Sequence, residues 1–202
     1  MKNILTILCL LTFSTTFSQE NYVSVDNINY QILYREILED LNIERIKYSK
    51  KAFSISRELN KAAILHSEQM NKYHFFSHVN KKNKKFATLL DRVLYVDGNF
   101  PFLAENIADI VMLNIPNNKR ISIKQEGNKI LYFDENGSRI NYHTYESLAN
   151  KVVQSWMNSK GHRKNILNGD YSETGLGAIV HTKGEGLKKQ YYLLITQTLG
   201  GI

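Results

Sequence analysis

Residues 59–78 read LNKAAILHSEQMNKYHFFSH. Leu59, Ala62, Ala63, His66, Met70 and Tyr73 recur at the spacing of three and four that gathers side chains on one face of an α-helix. Just upstream, Ser54 and Ser56 offer hydroxyls to cap the first free N–H groups. The pattern predicts a helix over 57–73 that runs into an aromatic, histidine-rich end.

On the N-terminal side, Ile32, Leu33, Ile37, Leu38, Leu41 and Ile46 keep helical phase over 29–50; on the other, a short helix is predicted over 86–94, ended by Asp97-Gly98 and Pro101. From 120 to 142 the character changes. The runs ISIKQ, ILYF and RINY are separated by the turn formers EGNK and DENG, which predicts a meander of two or three strands. A helix over 145–158 follows, capped by Thr144, with Leu148, Val152 and Trp156 on its inner face. GLGAIVHT and YYLLITQTL, joined by KGEGLKK, read as two closing strands. Helices flanking a small antiparallel sheet make an α+β layered domain.

The 202 residues are 43% apolar and 22% charged, which fits a globular chain and excludes wholesale disorder or a collagen-like repeat. Residues 1–18 have the form of a signal peptide: Lys2, an apolar run from Ile4 to Phe13, and small residues Thr16 and Ser18 before the cut. That run is shorter than the ~20 residues that span a bilayer, and no other stretch approaches that length. A single domain over 19–202, secreted or periplasmic and monomeric, is expected. The only cysteine, Cys9, lies in the signal, so the mature chain has no thiol for a disulfide, a nucleophile or a zinc knuckle. The formal charge of +7 falls to +6 without Lys2. Only seven of the 26 basic residues are Arg and the lysines are scattered, so a solvated basic surface is expected rather than a nucleic-acid partner.

Three stretches carry a resemblance. Leu59–His78 resembles the helix of the CAP superfamily (cysteine-rich secretory, antigen 5 and pathogenesis-related proteins) that ends in Phe-Ser-His. AENIA, 104–108, resembles that family's Glu-Asn-Ile turn. SWMNSKGHRKNIL, 155–167, is similar to the Trp-Met-Asn-Ser-Pro-Gly-His block of its bacterial, cysteine-free, SCP-like branch, and GLGAIV and ITQTLG fit its last two strands. The resemblance implies an α/β/α sandwich, an extracytoplasmic location, and a cleft lined by two His and two Glu. Carried over, the histidines are His78 and His162 and the first acid is Glu105. The second acid, five residues before the tryptophan, is replaced by Lys151.

Two imidazoles and a carboxylate form a three-ligand set for a divalent cation such as zinc, or a metal-free acid/base group in which Glu105 orients one histidine. The plainer alternative is a hydrogen-bonded polar groove. Unless it turns away from the cleft, Lys151 weighs against metal, because an ammonium at ~4 Å repels a unit positive charge by roughly 4 kcal/mol at an effective dielectric near 20; pairing of Lys151 with Glu105 is the alternative arrangement. No cofactor is expected and zinc is disfavoured. His74 and His78, four apart, also have a ligand spacing on one helix face, though His74 sits among aromatics and reads as packing. Ser77 and Ser159 are weaker candidates, as nucleophiles beside a histidine. Asn106 and Asn165 read as braces to backbone, and Trp156 as core.

The 51-residue interval from Glu105 to Trp156 holds the predicted strands, read as a hairpin insertion at about 118–142. There Tyr132, Phe133, Tyr142 and Tyr145 form either an exposed apolar patch or part of a structural sheet. The functional expectation is a secreted module that binds a lipid, cell-wall component or protein in the cleft without turnover. The rival is a hydrolase using His78, His162 and Glu105.

Overall fold

The computed structural model describes residues 21–115, 120–127 and 129–201. The predicted signal peptide lies outside the described residues. Helix α1 spans Tyr30–Lys47, α2 Arg57–Lys72, α3 Leu89–Tyr95, α4 Tyr145–Asn158 and α5 Lys160–Leu167. Strands β1 Ser54–Ile55, β2 Phe102–Val111, β6 Glu173–Lys183 and β7 Gln190–Gly201 form one sheet in the order β1-β6-β7-β2. Strands β3 Ile121–Glu126, β4 Lys129–Asp134 and β5 Arg139–Ile140 form a second, three-stranded sheet.

The main sheet lies between two helical layers, because its side chains alternate in destination. On β6, Leu176 and Ala178 join Leu193 and Ile195 of β7 in the core with Leu33, Ile37 and Leu41 of α1 and Leu148, Val152 and Trp156 of α4. The opposite face meets α2, where Met70 packs with Ile107 and Leu194. Gly175 and Gly177 lie under α2 so closely that an added Cβ would sit 2.0 Å from backbone atoms of Leu59 and of Ile64. No side chain fits there, so these glycines set the height at which α2 rides on the sheet. Burying both faces by this sandwich is what the amphipathic helices require.

Local signals account for the helix ends. Ser56 caps α2 through the N–H of Leu59, and Thr88 with Asp91 makes a reciprocal capping box on α3. After α2, Phe75 N–H reaches the Met70 carbonyl and His74 N–H that of Asn71. This is a Schellman motif with His74, at φ +51°, where glycine is usual. Arg45, fully buried, donates to the carbonyls of Ile166, Asn168 and Tyr171 and so ties α1 to the end of α5.

The structure differs from the expectations in four places. Helix α2 stops at Lys72, and Phe86 belongs to a single 3-10 turn, Lys84–Phe86, ahead of α3. The 104–108 stretch, expected as a turn, lies inside the ten-residue strand β2 paired along its length with β7. The chain past Ser159 forms α5, a helix that the sequence patterning did not predict. The hairpin is structural rather than an exposed patch: Tyr132 and Tyr145 are buried, and Tyr132 packs with Leu113 and Ile140.

Candidate functional site

Strand β2 is an edge of the main sheet, and its alternation sends Glu105 toward the α2–α3 layer and Asn106 toward the α4–α5 layer. The site forms at this edge, where the two layers meet. Glu105 Oε1 accepts from His78 Nδ1 at 3.0 Å, and Oε2 accepts from Arg92 Nη2 at 2.7 Å. His66 Nε2 is 3.5 Å from Oε1 and donates to the Ser77 carbonyl at 3.1 Å. The His162 ring stands 6.5 Å from that of His78, centroid to centroid, nearly edge-on.

Glu105, His66 and Arg92 are buried, whereas half of the His78 side chain is exposed. Burial pushes the Glu105 carboxyl up. The His78 hydrogen bond and neighbouring positive charge outweigh it and hold the group below the usual carboxylate range. Burial drives His66 down to about 4, with Glu105 opposing and Arg92 reinforcing the shift, so His66 is neutral at pH 7 and Arg92 supplies the charge that keeps Glu105 ionised. His162 is lowered, first by burial and then by the neighbouring His78. Arg92 also donates to the carbonyls of Phe86 and His78, fastening the loop that carries His78.

On the other layer, Asn106 Nδ2 donates to Gln197 Oε1 at 2.8 Å and to the His162 carbonyl at 3.4 Å, and Asn165 Nδ2 donates to Asn106 Oδ1 at 2.9 Å. This amide chain, buried at Asn106 and Gln197, seats α5, and with it His162, against β2. Asn106 and Asn165 therefore brace backbone, as their residue types suggested, and Gln197 is buried among them rather than in the cleft.

The structure thus brings His78, Glu105 and His162 to one edge, but not Lys151. That lysine is on the exposed side of α4, lining a polar groove with His143, Glu146 and Ser147. There its charge, after burial, helps push His143 down to about 4. The Lys151–Glu105 pair is replaced by Arg92–Glu105, because α3 rather than α4 covers that face of β2. His74 and His78 do not share a helix face either, since α2 ends before both. Of the two serines, Ser77 Oγ accepts from Val79 N–H and Ser159 joins α4 to α5.

Two members, Arg92 and His66, were missed by sequence reasoning. Arg92 sat in a short predicted helix as an ordinary surface charge, and His66 as part of an apolar stripe. The only available signal was a charged or ionisable residue in phase with buried positions. Glu105 as placed here is a poor metal ligand. Both Glu105 oxygens are engaged, Nδ1 of His78 is used, and a guanidinium lies against the carboxylate. Among the described residues no three His, Cys, Asp or Glu are arranged to hold an ion.

The profile of the cysteine-rich secretory protein family (CAP) matches residues 38–196. The chain is 28% identical over 143 residues to the uncharacterized membrane protein YlbC of Bacillus subtilis (strain 168), covering 71% of this chain and 30% of that protein. It is 26% identical over 145 residues to the uncharacterized protein YkwD of the same organism, covering 72% and 42%. The chain spans less than half the length of these curated relatives. Among solved structures, an extracellular protein containing a SCP domain from Bacillus anthracis str. Ames aligns with TM-score 0.54 at 23% identity, over 88% of this chain and 43% of that one. An outer surface protein from Borrelia burgdorferi aligns with TM-score 0.53 at 14% identity, over 87% and 97%. At such identities the two structures speak for the α/β/α sandwich alone.

Proposed function

The chain belongs to the cysteine-rich secretory protein family, and from that premise together with the β2 edge site we propose that it is an extracytoplasmic binding module. It takes a polar ligand, such as a cell-wall component or a protein, between His78 and His162 without turnover. The observation that carries this reading is the double engagement of Glu105 by Arg92 and His78. A carboxylate held ionised by a buried guanidinium at 2.7 Å is a poor general acid. Its role is to fix the His78 ring with Nε2 turned away from Glu105. The half-exposed His78 ring and the partly buried His162 ring then offer hydrogen bonds to a ligand. The polar lining favours a cell-wall component or protein over a lipid.

The hydrolase reading is supported by one feature, the Glu105–His78 dyad, which resembles an oriented general base acting on water. The test is co-sedimentation of the purified protein with cell-wall sacculi, with a peptidase assay on the same preparation. The binding reading expects saturable association lost in His78→Ala and His162→Ala, with no cleavage by the wild type. Cleavage that disappears in His162→Ala without unfolding would favour the hydrolase instead. Sacculus binding that survives both substitutions would remove the cleft from the account.

A further inference from the structure

The groove along the outer side of α4 has a volume of about 690 Å³, within the ~300–1,000 Å³ of ligand pockets. Its long wall is one stripe of the helix: Ser147, Lys151, Gln154 and Asn158 follow at steps of four and three and cover roughly 16 Å of its length. Asp40 of α1 and Asn114, just beyond β2, also border it. Every described residue of the lining is polar. Such a surface gives a lipid chain or an aromatic ring no apolar area to bury, so the complementary ligand is itself polar throughout.

The lining offers donors and acceptors together. Ser147 Oγ gives its proton to the Thr144 carbonyl at 3.2 Å, so it accepts from His143 Nδ1 at 2.9 Å. That tautomer leaves His143 Nε2 as an acceptor, without a partner among the described residues, in a residue only 5% exposed. A buried acceptor bordering a groove is a hydrogen bond still to be made. Among the described residues the side chains of Asn114, Glu146, Lys151, Gln154 and Asn158 likewise have no hydrogen-bond or ion-pair partner. Asp40 is already bonded to the Asn150 amide, which ties α1 to α4. One ammonium among two carboxylates calls for neither a polyanion nor a strong cation, and burial, ahead of the Lys151 charge, keeps the imidazole neutral at pH 7. The group that meets carboxamides, a carboxylate, an ammonium and a neutral imidazole equally well is the hydroxyl, which donates and accepts at once. A row of them along ~16 Å is a carbohydrate chain.

We propose that this groove is a second binding site, for an uncharged glycan, whose hydroxyls donate to Glu146 and His143 Nε2, accept from Lys151, and pair in both directions with Asn114, Gln154 and Asn158. The site shares no residue with the His78–His162 cleft.

The test uses the whole protein and three probes, cellotetraose, maltotetraose and N-acetylated chitotetraose, with tetragalacturonate as the anionic comparison. Binding is followed by calorimetry and by the NMR signals of the His143 ring. Saturable one-site binding of at least one uncharged oligosaccharide is expected, with the His143 signals moving on titration and tetragalacturonate binding more weakly. Glu146→Ala weakens binding by about tenfold or more, the loss of one charge-assisted hydrogen bond, and Gln154→Ala by about threefold to tenfold. Alanine is a good helix residue at both positions, so thermal unfolding of the two variants stays close to that of the wild type. His78→Ala leaves the affinity as it was. The proposal fails if none of the three saturates, if tetragalacturonate binds as tightly, if both alanine variants on α4 bind like the wild type, or if the His143 signals stay still. Loss of oligosaccharide binding in His78→Ala also overturns it, and would move the sugar to the cleft.

Discussion

Arg92→Met tests the reasoning about the site most directly. Methionine keeps the length and most of the volume of the stem but removes the guanidinium, which donates to Glu105 at 2.7 Å and to the carbonyls of Phe86 and His78. Glu105 is then left buried with only the histidines as partners. Breaking one side of a buried ion pair costs about 3–5 kcal/mol, and for a domain of this size each kcal/mol lowers Tm by ~2–4 °C. A fall of roughly 6–20 °C is expected in thermal unfolding, with a matching loss in urea titrations.

The pH dependence carries the sign. In the wild type the Glu105 pKa is depressed, so the stability it contributes is present above the unfolded value and is lost as pH falls through the lower folded one. In Arg92→Met burial dominates and the folded pKa rises above the unfolded one; the carboxyl takes up its proton in the fold, and the deficit against wild type shrinks as pH is lowered toward about 4.5. Arg92→Met/Glu105→Gln removes the stranded charge, so the double variant is more stable than Arg92→Met alone, a coupling of at least ~1 kcal/mol. A deficit under ~1 kcal/mol, the same deficit at about pH 8 and pH 4.5, or simple additivity in the cycle would each refute the claim that Arg92 holds Glu105 ionised.

Gly177→Ala places a methyl 2.0 Å from the Ile64 nitrogen and forces α2 off the sheet, for a loss of about 3 kcal/mol or more by urea titration. Gly161→Ala, which meets nothing within 4 Å, is expected to gain ~0.5–1 kcal/mol; equal effects of the two would refute the close-approach argument. His66 and His143, each lowered by burial to about 4 in the fold, stay neutral above pH 6.5 and each costs the fold up to about 3 kcal/mol as pH falls from 6.5 toward 4. His143→Gln therefore flattens the acid limb of a stability–pH curve, and a wild-type curve level from about pH 7 to 5 contradicts it. Lys151→Glu leaves zinc affinity unchanged in titration calorimetry, because Lys151 faces the His143 groove; tighter binding would return the lysine to the cleft. Tyr132→Ala, cutting the core of the small sheet and the bond to the Lys189 carbonyl at 3.1 Å, costs about 3–5 kcal/mol. Loss of only the β3–β5 amide protection in hydrogen exchange, with Tm unmoved, would show that sheet to be a separate unit.

Periodicity was enough to mark the main helices and the two central strands of the main sheet, because Leu59 to Met70, Leu148 to Trp156 and the two closing strands carry a period that only one kind of element satisfies. Three members of the site were also legible in the chain, through motifs that keep the residue types of His78, Glu105 and His162. Strand β2 and helix α5 were not. β2 is polar at Glu105 and Asn106, positions whose burial becomes favourable only once partners arrive from α2, α3, α5 and β7, so no alternation marks it. The same holds for the carboxylate's partner. Position 151 was expected beside Glu105 because the family resemblance puts its second acid there, whereas Arg92 is adjacent because α3 packs over β2, and charge pairing follows distance in space rather than along the chain. Which counter-charge a buried carboxylate meets is set by how the layers pack, since desolvation leaves the fold no tolerance for an unpaired one.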